Sequence, residues 1–184
     1  MQFLEIYFMN SGLAWAIAGA MFAVMLGGMG SAIGIRISSS QGAGVMSEKP
    51  DLFGKLIVLM ALPGTQGFYG FITALLVANQ IGLLGGTVRI APLPGLSIFL
   101  IGLLSGFVLL RSAINQGEAA AAAINLVARR PDQAGRAIII PALVETYAVV
   151  AFLAALLLIF YVAGDLDYEV AENLFKPVTE AAGQ

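Results

Sequence analysis

Residues 137–163 read AIIIPALVETYAVVAFLAALLLIFYVA, an apolar run interrupted by a single charge, Glu145. A helix needs about 20 such residues to cross the ~30 Å hydrocarbon core of a bilayer, so this stretch is predicted to span one. A carboxylate near mid-span is expensive in hydrocarbon and by default marks an ion or proton path. Three other stretches have the same character: 12–35, 56–84 and 95–128. Long continuous apolar runs point to helices, because barrel strands would alternate. Several of these runs exceed the bilayer thickness, so tilt or extension into water is expected.

Composition agrees. Hydrophobic residues make up 59% of the 184-residue chain and charged ones 11%, with a mean hydropathy of +0.92. A soluble domain of this size cannot hide that much apolar surface, so the chain is read as an integral membrane protein. Residues 1–10 carry Glu5 and no basic segment, and no cleavable signal peptide of the usual kind is expected there. The absence of cysteine and histidine excludes disulfides, thiol chemistry and histidine metal sites. No basic patch supports a nucleic-acid partner.

The chain repeats itself. A shift of 81 residues lays Ser31-Ala32-Ile33 on Ser112-Ala113-Ile114, Pro50-Asp51 on Pro131-Asp132, and Thr65 on Thr146. In that register Glu145 falls opposite Gly64. One half carries a charge where the other has a glycine, which implies one ion site per duplicated chain. The expected architecture is all-α, with four transmembrane helices in two tandem hairpins: residues 1–81, then 82–163, then a polar tail at 164–184. A parallel repeat of this kind leaves no room for an inverted-repeat transporter.

Arg36, Lys49, Lys55, Arg129, Arg130 and Arg136 gather around two connections, residues 38–51 and 128–135. The other side has only Arg89 and Lys176, together with the acidic residues of the tail. The positive-inside rule then places both connections in the cytoplasm and both termini outside, in a plasma-membrane protein. Spans one and three are rich in small residues: Gly27, Gly28, Gly30 and Gly34 in one, Gly102, Gly106 and Gly117 in the other. Small residues let backbones approach in lipid. With bulkier residues in spans two and four, the pattern suggests an inner layer and an outer layer, the geometry of a homo-oligomeric ring.

Four groups are candidates at one depth: Thr65 and Gln66 in span two, Gln116 in span three and Glu145 in span four. They offer a hydroxyl, two amide carbonyls and a carboxylate, all hard oxygen donors suited to a hard cation. A proton alone needs little beyond the carboxylate, and buried polar groups are costly unless paired. The surplus favours Na⁺ over H⁺. Pro63 removes a donor to the Leu59 carbonyl and distorts the turn before it. That distortion is either a simple kink or a means of freeing a carbonyl as a further ligand. Tyr69, one turn after Thr65, is placed to donate to Glu145, although a tyrosine near a span end also serves as an interface anchor. Arg111 and Glu118 lie ~20° apart on span three and about 140–160° from Gln116. They are expected to point away from the site, toward the inner face.

The runs Leu62-Pro63-Gly64-Thr65-Gln66-Gly67-Phe68-Tyr69-Gly70 and Val144-Glu145-Thr146-Tyr147 closely resemble the rotor-ring proteolipids, the K (or c) subunits, of bacterial V-type (V/A-type) ATPases. The likeness is nearest to the sodium-pumping forms. It covers roughly residues 12–162 and extends to Gln116-Gly117-Glu118-Ala119 and Ala128-Arg129-Arg130-Pro131. The resemblance implies that Na⁺ is held by the Leu62 carbonyl, Thr65, Gln66, Gln116 and Glu145, with Tyr69 closing the site by a hydrogen bond to the carboxylate. It also implies a homo-oligomeric ring in lipid, turning against a stator subunit that bears a basic residue. Central-stalk subunits would sit on the cytoplasmic side. Glu118 stands where a basic residue is familiar, and Arg111 is a second departure.

No Gly-x-x-x-x-Gly-Lys-Ser/Thr run appears, so ATP hydrolysis would belong to partner subunits and this chain would have an ion-translocating, non-catalytic role. The alternatives are a proton-carrying ring of the same type, an autonomous proteolipid pore, and a structural scaffold that leaves Glu145 unexplained.

Overall fold

The computed structural model describes residues 11–86, 88 and 90–164. Arg89, the first ten residues and the tail after residue 164, with the charge asymmetry read from them, lie outside the described residues. Every described regular element is helical. Span one is α1 (Gly12–Glu48). Span two is built from α2 (Phe53–Ala61), a 3₁₀ turn at Leu62–Gly64, and α3 (Thr65–Gln80). Span three is α4 (Pro92–Arg129). Span four is a short α5 (Ala134–Ala137) followed by α6 (Ile139–Gly164). All four are long and apolar enough to cross a membrane.

One of these boundaries differs markedly from the sequence reading. Span one does not end near Ile35 but runs to Glu48, 37 residues in all, or about 55 Å at 1.5 Å per residue. Residues 38–48, expected to be a connection, are helical. Polarity does not break a helix; the residue before a proline does. Lys49, ahead of Pro50, has φ −135° and ψ 70°, and its repeat counterpart Arg130, ahead of Pro131, has φ −135° and ψ 79°. Both long helices stop there and turn through 3₁₀ segments, Pro50–Leu52 and Pro131–Gln133. Well inside α1, Ser38 is fully buried. Its hydroxyl lies 3.0 Å from the Met60 carbonyl, joining spans one and two.

At this end the two turns are tied together. The Lys49 ammonium donates to the Ala128 carbonyl at 2.6 Å, and that of Lys55 donates to the Pro131 carbonyl at 3.2 Å. The Ala128 contact satisfies a carbonyl in the last turn of α4, where helix ends favour cations. At the opposite end the connection between the hairpins turns at Gly82 (φ 75°) and Gly86 (φ 72°), a backbone region that side chains rarely enter.

The centre of the molecule is the contact of α1 with α4, glycine on glycine. A methyl group at Gly117 would fall 2.5 Å from the Gly34 Cα, and one at Gly30 would fall 2.7 Å from the Leu110 Cα. Gly102 meets the backbone of Gly19 in the same way. Without side chains between them the two backbones pack directly, the small-residue solution for helices in lipid. Spans two and four flank this pair. Span four is the outermost, burying 17% of its most apolar window against 33–39% for the others. Two apolar clusters close the ends: Leu56, Leu59, Ile124 and Val127 near the basic turns, and Val77, Ile81, Ile98 and Ile159 at the other.

Gly117→Val therefore drives a side chain into backbone, and it is expected to destabilise the folded chain by about 1–3 kcal/mol or more. Gly54, whose added methyl would meet nothing within 4 Å, is the control, and Gly54→Ala should be neutral or slightly stabilising. Thermal unfolding in detergent, followed by circular dichroism, compares them. Equal midpoints would mean that the α1–α4 seam yields.

Candidate functional site

Between the two apolar clusters, span two is broken and span four carries its charge. Pro63 shapes the 3₁₀ turn at Leu62–Gly64, in which the Leu62 carbonyl accepts the Thr65 N–H three residues on. The Thr65 hydroxyl also lies 3.2 Å from that carbonyl and 3.3 Å from Gln66 Oε1. The turn thus brings a backbone carbonyl, a hydroxyl and an amide oxygen together at the start of α3.

From there a chain of hydrogen bonds runs across three helices to Glu145. Gln66 Nε2 donates to Gln116 Oε1 at 2.6 Å, and Gln116 Nε2 donates to Glu145 Oε2 at 3.2 Å. The Tyr69 hydroxyl donates to the other carboxylate oxygen, Oε1, at 2.7 Å. Both glutamines are fully buried, whereas Glu145 and Tyr69 are partly buried. Among the described residues no buried side-chain polar atom lacks a partner. The buried polar side chains here are therefore all engaged, as burial requires.

The candidates from the sequence come together in this arrangement. Gln66, Gln116, Glu145 and Tyr69 form one network, and Thr65 ties it to the Leu62 carbonyl. Tyr69 is engaged with Glu145, and its ring stacks on Phe152 with centroids 5.1 Å apart and planes at 19°. The fit for a hard cation rests on the donor set: one carboxylate with neutral amide, hydroxyl and carbonyl oxygens around it.

Sequence reasoning missed the serines. Ser112, one turn before Gln116, lies 3.5 Å from Gln66 Nε2 and donates to the Val144 carbonyl at 3.3 Å. It links spans three and four just before Glu145. Its repeat counterpart Ser31 accepts the Gly67 N–H at 2.8 Å. The signal was available, since the two serines head the aligned segments, but a lone serine in a span has no distinctive pattern.

Two charges in span three remain. Arg111 and Glu118 are both exposed and lie away from the network. Arg111, however, lines a groove of about 460 Å³ with Phe107, Val108, Ser112, Asn115, Val144 and Tyr147. These residues lie where α4 meets α6. An offset of about 140° from Gln116 excludes the site but does not say which other side is taken.

Comparison with known proteins places the sequence in a family. The family of the ATP synthase C subunit matches residues 18–77 and again 99–158, two matches that begin 81 residues apart, the offset of the internal repeat. The chain is 36% identical over 150 residues to the V-type sodium ATPase subunit K of Enterococcus hirae, covering 82% of this chain and 93% of that protein. It is 41% identical over 141 residues to the A-type ATP synthase subunit K of Methanocaldococcus jannaschii, covering 77% of this chain and 60% of that one.

Tyr69→Phe removes one donor from the carboxylate and keeps the ring on Phe152. Hydrogen bonds to charged groups contribute about 1.5–3 kcal/mol, so Glu145 should react with a hydrophobic carbodiimide about ten-fold faster or more. An unchanged rate would show that the hydroxyl does not hold the carboxylate in place.

Proposed function

The chain belongs to the family of the ATP synthase C subunit, as a membrane rotor-ring proteolipid of a V/A-type ATPase, and we propose that the ion it carries across the bilayer on Glu145 is Na⁺. The observation that carries this reading is the excess of neutral oxygen around one carboxylate. A proton needs only Glu145 and an acceptor. The Leu62 carbonyl, the Thr65 hydroxyl and the Gln66 and Gln116 amides gain nothing from a proton, while each can supply an oxygen to Na⁺.

Glu145 neutralises the cation and the other four complete its coordination. In the loaded state the amide oxygens of Gln66 and Gln116 face the ion, and Tyr69 keeps its hydrogen bond to the outer carboxylate oxygen. A charge so compensated crosses the hydrocarbon layer as the ring turns. At the stator a basic side chain competes for the carboxylate and the ion leaves. A second half-channel reloads the site.

The repeat gives one such site per chain, because Gly64 and Ile35 stand where the second hairpin has Glu145 and Gln116. The clustered basic turns face the cytoplasm, where central-stalk subunits meet the ring, and both termini lie outside. The two hairpins, residues 1–81 and 82–163, move as one unit.

Two experiments test the reading. Na⁺ and H⁺ compete for Glu145, so millimolar Na⁺ should slow carbodiimide labelling of this residue, with more Na⁺ required as pH falls. K⁺ should protect less, since the fully buried glutamines cannot retreat to the distances a larger ion needs. Gln66→Leu and Gln116→Leu should abolish most of the Na⁺ protection. Labelling that depends on pH but is indifferent to Na⁺ would replace the sodium reading with a proton-carrying ring. In the second, Glu145→Gln should leave ring assembly intact and stop ATP-driven ²²Na⁺ uptake into vesicles. Continued uptake would remove Glu145 from the ion path.

A further inference from the structure

Arg111 stands midway along α4 (Pro92–Arg129), on the exposed face where Leu100, Leu104 and Phe107 precede it. A guanidinium among such neighbours is costly in a membrane, and charges kept there are placed for function. It belongs to the second hairpin alone. The 81-residue shift lays it on buried Gly30, just as it lays Glu145 on Gly64. The carboxylate of the site and this cation are therefore confined to the same hairpin.

The groove that Arg111 lines shares a wall with the ion site. Ser112 and Val144 both line it. Ser112 Oγ lies 3.5 Å from Gln66 Nε2 and donates to the Val144 carbonyl at 3.3 Å, and Val144 directly precedes Glu145. Ser112 and Val144 thus stand between the groove and the network. The other polar side chains of the groove, Asn115 and Tyr147, are neutral groups. They can accept hydrogen bonds from a guanidinium but cannot cancel its charge. Among the described residues the ion pair is Arg130–Asp132, and Arg111 enters none. Glu118, also exposed on α4, is seven residues or ~10 Å further along the axis and does not line the groove.

We propose that Arg111 sets the strength of Na⁺ binding at Glu145 through its charge, touching neither the ion nor the carboxylate. The proposal rests on the sodium reading of the site and names a residue that tunes it. A fixed positive charge opposes a bound cation and stabilises the ionised carboxylate that remains when the cation leaves. A groove of about 460 Å³ is on the order of 10 Å across, and at that separation two unit charges in a partly buried setting change a binding constant on the order of ten-fold. Salt screens such a pair weakly when apolar residues surround it. The guanidinium stays charged at any working pH, so the bias is constant. The site therefore holds Na⁺ less tightly than its oxygen ligands alone would, and it unloads more readily where the ring meets the stator.

Equilibrium ²²Na⁺ binding to the purified ring tests this, with Na⁺ protection of Glu145 from carbodiimide as the second readout. Arg111→Gln should lower the Na⁺ concentration for half-saturation on the order of ten-fold. Arg111→Glu should lower it further, and Arg111→Lys, which keeps the charge, should stay within about two-fold of the parent. Asn115→Asp adds an anion to the groove at almost unchanged size and should also tighten binding with Arg111 in place. It serves as the probe if changes at Arg111 prevent ring assembly. An ordering by charge is what a packing role would not produce, since lost packing would weaken binding in all three Arg111 variants. Unchanged half-saturation in Arg111→Gln, Arg111→Glu and Asn115→Asp, or weaker binding in Arg111→Gln, overturns the proposal and leaves the sodium site standing. A parent ring that binds no Na⁺, and whose labelling ignores Na⁺, overturns the sodium reading and this proposal with it.

Discussion

A carboxylate held at mid-depth in hydrocarbon must find its hydrogen-bond donors within the protein, and the helices are arranged around that requirement at Glu145. Its two oxygens accept from Tyr69 and Gln116, which come from different spans, and Gln116 is in turn held by Gln66. Three helices must keep their relative height and rotation for this chain to close. The break at Leu62–Gly64 lies beside this network, with the Leu62 carbonyl 3.2 Å from the Thr65 hydroxyl.

Fixing that height falls to the glycines. Contacts such as Gly34–Gly117 leave no side chain to adjust, so a slip of either long helix would bring backbone into Cβ atoms. Lipid supplies no hydrophobic force to hold helices together, and close van der Waals packing has to do so. The apolar clusters at each end complete the frame, and the polar network occupies the interval between them.

Duplication followed by divergence explains the asymmetry of the chain. The two hairpins share the limits of their long first helices, the proline stops and the 3₁₀ turns that follow them, yet only the second has Glu145, with Gln116 on its long helix. In the first, a methyl at Gly64 would meet only Ile35, at 3.4 Å. The scaffold is kept in both halves because packing needs it twice. The charge is kept once, because each buried carboxylate demands its own set of donors.

The sequence by itself determined the four spans, their pairing as two parallel hairpins, and three polar residues of the network, Gln66, Gln116 and Glu145. Hydropathy reports transfer into lipid, and a polar residue in such a run stands out against it. The same measure could not locate the true end of α1, because the helix continues to Glu48 through residues that are polar but still helical. Nor could it choose between two roles for Tyr69, or find Ser112, whose partners come from other spans. Helix angles excluded Arg111 from the site without assigning its flank. Only the tertiary structure decided these points. Hydrogen bonds between helices depend on rotation and height, which are set by which glycines touch and not by how apolar each helix is.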